Sequence, residues 1–151
     1  MDGKAWAEKW QFTTVDKTAY RDRIAEQLLT QVNQARKDAG LAPVTMDPAL
    51  SGPCQKHADY INRNLDHPKV QGLGIHDEDS TLPGATNEGA RAGKAAVIAV
   101  ISEPADSVAG WMATLYHRIP ILDPELKRVG YGQTQHATRG WITVLDTGNG
   151  K

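Results

Sequence analysis

The run VGYGQTQHATRGWITVL, residues 129–145, holds two strands and the turn between them. Val129, Tyr131 and Gln133 alternate with Gly130 and Gly132, the two-residue period of a half-buried strand. Trp141-Ile142-Thr143-Val144-Leu145 is built from β-branched and large apolar residues, and a polar stretch ending in Gly140 separates the two runs. The spacing predicts an antiparallel hairpin. Upstream, Ala95–Ile101 is dense in Val and Ile and reads as a buried strand, though its periodicity alone also fits a helix. Ser102-Glu103-Pro104 reads as a helix start, with Val108, Trp111, Met112 and Leu115 forming the apolar face that follows.

Helices come earlier in the chain. From Thr18 to Ala39, Ile24, Leu28, Leu29, Val32 and Ala35 recur at three-to-four spacing, and Gly40 stands where a left-handed cap belongs. Asp47-Pro48 reads as an N-cap with proline in the first turn. Pro53 removes an amide donor one turn further on, so the pattern predicts a kink or a fresh start there. The main helix then runs to about Asn64, with Cys54, His57 and Ile61 on its inner face. Leu65 to Gly93 shows no period and reads as a long irregular connection, a kind of segment that is usually functional in a compact domain. Trp6, Trp10 and Phe12 make residues 1–17 an extension packed on a domain spanning 18–151. Helix, helix, loop, strand, helix and hairpin together define a single α+β domain, its helices covering an antiparallel sheet.

Composition narrows the function. A chain of 151 residues makes one domain, and its 40% hydrophobic residues can build a core without staples. Seventeen basic residues against eighteen acidic ones, interspersed along the chain, form no phosphate-binding patch, which excludes nucleic acid. The longest apolar run, Ala95–Ile101, is far short of the ~20 residues of a membrane span. Cys54 is the single cysteine, so an internal disulfide is impossible, a state compatible with a reducing compartment or with a secreted protein of adequate core. Met1-Asp2-Gly3-Lys4 opens no apolar run of signal-peptide type. That start and the ending at Gly150-Lys151 are the expected look of a domain taken from a longer chain.

Two motifs fail on inspection. Gly89-Ala90-Arg91-Ala92-Gly93-Lys94 is one residue short of a phosphate loop, and Ala95 stands where the magnesium-binding hydroxyl is needed. Asp77, Asp79, Thr81 and Glu88 fall at calcium-loop positions, but Leu82 replaces the required glycine.

A third pattern spans most of the chain. Leu28–Arg36 leads to Ala39-Gly40-Leu41-Ala42-Pro43 and Asp47-Pro48-Ala49-Leu50. His57-Ala58-Asp59-Tyr60 and Asn87-Glu88-Gly89 follow, then Trp111-Met112 and His117-Arg118-Ile119-Pro120-Ile121-Leu122, with Val129–Gly132 and Trp141–Val144 closing the order. Over residues 22–146 this resembles a bacterial member of the CAP superfamily, named for cysteine-rich secretory proteins, antigen 5 and pathogenesis-related 1 proteins, whose shared unit is the SCP domain.

The resemblance implies an α-β-α sandwich and a cleft lined by two histidines and two acids that takes a divalent metal, often zinc. Carried over by motif, the ligands are His57, Glu88 and His117; two imidazoles and a carboxylate are ordinary zinc ligands that leave an open position. The second acid usually lies three residues beyond the tryptophan, where this chain has Thr114, and Asn87-Glu88-Gly89 departs from the commoner Gly-Glu-Asn order. His76, Asp77 and Glu78 share the polar loop and could supply a replacement acid, and Tyr60 and Tyr116 could line the cleft or pack. No organic cofactor is expected. The resemblance further implies a secreted or envelope protein that binds a metal, small ligand, lipid or protein. Metal-assisted hydrolysis of peptidase type and a lipid or sterol carrier are the alternatives.

Overall fold

In a computed structural model, which describes residues 14–151, the chain folds into three layers with a four-stranded sheet in the middle. The expected packing of Trp6, Trp10 and Phe12 lies outside the described residues. Helix α1 (Thr14–Asp38) begins ahead of the expected Thr18 and buries Ile24, Leu28 and Val32. It closes as predicted on Gly40, whose φ of 73° lets its N–H reach the Lys37 carbonyl at 2.9 Å while the Leu41 N–H reaches that of Arg36 at 2.8 Å.

Strand β1 (Thr45–Met46) leads to α2 (Pro48–Asn64), capped by the Asp47 carboxylate, which accepts the Ala49 N–H at 2.8 Å. The expected restart at Pro53 does not occur. The residue ahead of a proline normally meets the ring with its Cβ, but here it is Gly52, which has none, and the helix passes through. Two 3₁₀ turns follow (Pro68–Val70 and Gly72–His76), then α3 (Asn87–Ala95), inside the segment expected to be irregular. After β2 (Ala96–Ile101), the one helix expected around residues 104–115 is divided into a 3₁₀ turn (Pro104–Asp106), α4 (Ser107–Met112) and α5 (Leu115–Ile121). Leu115 consequently leaves the apolar face and is exposed. The hairpin is β3 (Arg128–His136) and β4 (Gly140–Asp146).

The sheet order is β1-β3-β4-β2. β4 is central and antiparallel to both neighbours, with Gln135 opposite Trp141 in β3 and Ile101 opposite Trp141 in β2. The short β1 joins β3 in parallel, which makes the sheet mixed. Alternation sorts the side chains into two cores. Val97, Val129, Tyr131 and Leu145 meet Ile24, Leu28 and Val32 of α1, Val108 and Trp111 of α4 and Ile121 of α5. Ile98, Ile142 and Val144 face Cys54, Ala58 and Ile61 of α2 and Ala92 of α3. Gly130 and Gly132 permit that second contact, since a Cβ on either would stand 2.4 Å from the α2 backbone at Leu50 or Cys54.

Two features fix the periphery. β1 stops at Met46, and α2 takes over the exposed edge of β3: Ser51 Oγ accepts the Tyr131 N–H, while the Gln55 amide both accepts from and donates to the Gln133 backbone. Arg36, fully buried, donates to the carbonyls of Ala42, Ile121, Asp123 and Leu126 at 2.8–3.2 Å. Burial lowers its pKa, and the nearby Asp123 charge opposes the shift.

Candidate functional site

His57 sits on the inner face of α2, as its spacing predicts, and is fully buried. Its Nε2 lies 2.9 Å from the Ile75 carbonyl oxygen and its Nδ1 2.8 Å from Glu78 Oε1. A carbonyl only accepts, so Nε2 carries a hydrogen, and one more hydrogen lies between Nδ1 and the carboxyl group. Glu78, its side chain 1% exposed, accepts the Thr86 N–H on its other oxygen at 2.6 Å. Both ring nitrogens of His57 are therefore spent inside the protein. The imidazole grips the polar loop on both sides of His76, at residues 75 and 78.

Helix α3 covers this pair with two glycines one turn apart. A Cβ on Gly89 would stand 2.2 Å from Glu78 Oε1, and one on Gly93 would stand 2.4 Å from His57 Cε1. The helix starts at Thr86, whose hydroxyl accepts the Gly89 N–H at 2.9 Å. Glu88, in the first turn, points outward and pairs with Lys56 of α2 at 2.7 Å, and that bond holds its carboxyl below the usual carboxylate range.

His76 and His117 lie close enough for the charge of one to act on the other. His76 donates Nδ1–H to the Gly93 carbonyl at 3.0 Å, which fixes the tautomer and leaves the Nε2 lone pair outward. His117, in α5, has Nδ1 2.7 Å from Thr114 Oγ1. Thr114, at the position where the resemblance leads one to expect an acid, thus orients this imidazole with a hydroxyl. Partial burial lowers the His117 pKa, and the proximity of His76 lowers it further, so His117 is neutral at pH 7. Among the described residues, none hydrogen-bonds either Nε2.

Exposed apolar side chains occur on both segments: Leu73 stands 86% exposed in the turn that ends at His76, and Leu115, Tyr116 and Ile119 are exposed on α5, the helix of His117. Asp77 is exposed and Tyr60 is buried, its hydroxyl accepting the Asp79 N–H. Cys54 is buried with its thiol pushed up to about 12, first by burial and then by Asp146, so it is no thiolate at neutral pH.

Among the described residues no three of His, Cys, Asp and Glu cluster as the ligands of one metal ion. His57 has no free lone pair and Glu88 is committed to Lys56, so the three motif residues do not come together as a closed ligand set. His76 and His117 are two nitrogen donors of the kind a divalent cation takes, short of a full ligand set. Sequence reasoning ranked His76 as an accessory residue and did not anticipate the orienting role of Thr114; the tryptophan-plus-three spacing was the signal for it.

The comparisons agree with this architecture. Residues 29–145 match the cysteine-rich secretory protein (CAP) family, and the chain belongs to that family. A search of curated proteins found no match. Among solved structures, an outer surface protein from Borrelia burgdorferi superposes with a TM-score of 0.59 at 15% identity, over 82% of this chain and 91% of that one. An extracellular protein containing a SCP domain from Bacillus anthracis superposes with a TM-score of 0.60 at 16% identity, over 89% of this chain and 43% of that longer one. At such identities the likeness is one of fold. No helix of the described residues is long and apolar enough to cross a membrane.

Proposed function

We propose that this chain is a ligand-binding domain of a secreted or cell-envelope protein, and that its ligand docks at His76 and His117. The observation that supports this reading is a pair of imidazoles whose charges act on one another, each held through Nδ1 at a half-buried position, with no hydrogen bond to either Nε2 among the described residues. The extracellular placement rests on the family and on the surface and extracellular proteins that share the fold. Zinc or another divalent cation is the proposed co-ligand. His76 and His117 would supply two nitrogen donors, and the ligand or water would complete the shell. The cation would add positive charge able to polarise a bound carbonyl or carboxylate.

Calorimetric titration of zinc into chelator-stripped protein tests the proposal. Binding is expected in the wild type, to be lost in His76→Ala/His117→Ala, and to weaken as pH falls below about 6.5, where imidazoles take up protons. Equal binding by the double variant would overturn it.

A further inference from the structure

A second recessed surface lies at the other end of the sheet. His76 bonds the Gly93 carbonyl, close to the start of β2, and that start pairs with Asp146 at the far end of β4. At the Trp141 end of β4 a groove of about 490 Å³ opens between α1, α2 and the free edge of β3, within the size range of small-molecule sites. Lys17, Tyr20, Arg21, Gln55, Gln135 and Trp141 are among its walls.

Its chemistry has three parts. The first is a backbone edge. Val129, Tyr131 and Gln133 direct their polar backbone groups toward β1 and α2. The two-residue period of a strand puts the N–H and C=O of Gln135 on that same edge, one step beyond the last residue that α2 covers. The second is an aromatic wall. Trp141 is half-buried and tilted against Tyr20 with ring centroids 5.4 Å apart, while Arg23 lies over the Tyr20 ring at 5.2 Å. Trp141 is thus the larger ring left to receive a flat partner. The third is charge: among the described lining residues Lys17 and Arg21 are the charged side chains, and both are cations; Arg21 also contacts Asp22 at 3.2 Å.

We propose that this groove is a binding site for a small carboxylate that carries a flat ring. The ring lies against Trp141, and the carboxylate meets Lys17, Arg21 and the Gln135 N–H. The site is separate from the histidine pair and does not depend on it.

Amide chemical shifts of the ¹⁵N-labelled full chain, titrated with indole-3-acetate, tryptamine and acetate, test this. Indole-3-acetate should give saturable shifts at Gln135, Thr134 and the Trp141 indole. Tryptamine has the same ring with the opposite charge, and acetate lacks the ring, so both should bind at least several-fold more weakly. Lys17→Glu/Arg21→Glu changes exposed or half-exposed positions and should leave the spectrum folded while weakening indole-3-acetate about tenfold, the sum of two solvent-exposed charge contacts. Equal binding of tryptamine, unchanged affinity in the charge-reversed variant, shifts confined to other residues, or no saturable shift would each overturn the proposal.

Discussion

Removing the His57 imidazole would leave the Glu78 carboxyl in the interior with the Thr86 amide as its remaining partner. Breaking a buried pair in this way costs about 3–5 kcal/mol, because the surviving group is neither solvated nor paired. His57→Ala is therefore expected to lower the unfolding free energy in urea by about that amount. The double variant His57→Ala/Glu78→Ala should lose clearly less than the sum of the two single changes. Equal and additive losses would mean that the pair does not act as a unit. The inner-face position of His57 was legible in the helical period. The fate of its two nitrogens was not, because Ile75 and Glu78 come from an aperiodic loop 18 and 21 residues further along the chain. His117 was singled out by the family motif alone, and its bond to Thr114, three residues away on the same segment, was not foreseen because that position reads as a missing acid.

Elements were readable wherever an apolar stripe or a strand period survived, as in α1, α2 and the hairpin. α3 was hidden because the face it buries is Gly89, Ala92 and Gly93, residues too small to register as an apolar stripe. They are small for a steric reason, the close approach to Glu78 and His57, so contact with a loop erased the signal that would have revealed the helix. Gly93→Ala tests that account. Alanine favours a helix by about 1 kcal/mol over glycine, yet here the methyl would fall on the His57 ring, and overpacking of this kind costs about 1–3 kcal/mol. A net fall in the thermal midpoint followed by circular dichroism is expected, and a rise would show that the ring yields. The division between α4 and α5 was likewise hidden, since Leu115 fits the helical period of α4 while standing exposed at the start of the next helix.

Across the whole molecule, the pH dependence of stability has a definite sign. Unfolded His117 takes up a proton near its ordinary value of about 6.5. In the folded chain partial burial and His76 disfavour that proton, so the unfolded state binds more protons and stability falls as pH drops through about 6.5 toward the lower folded value. The urea midpoint is expected to fall between pH 7.5 and 5.5, and to fall less in His117→Gln; an identical fall would assign the effect elsewhere. Arg36 governs how the molecule comes apart. Its guanidinium hydrogen-bonds the carbonyl groups of residues 85–90 positions distant in sequence, with the Asp123 carboxylate near enough to favour its charge. Peeling α1 from the sheet while the turn before β3 stays in place would strip those carbonyl groups of their donor. Native-state hydrogen exchange should show the amides of α1 and β3 opening with one common free energy, and Arg36→Met should divide them, with α1 exchanging first. A single cation thus ties the C-terminal end of a helix to the turn that leads into the hairpin, so that a break at either place is felt at the other.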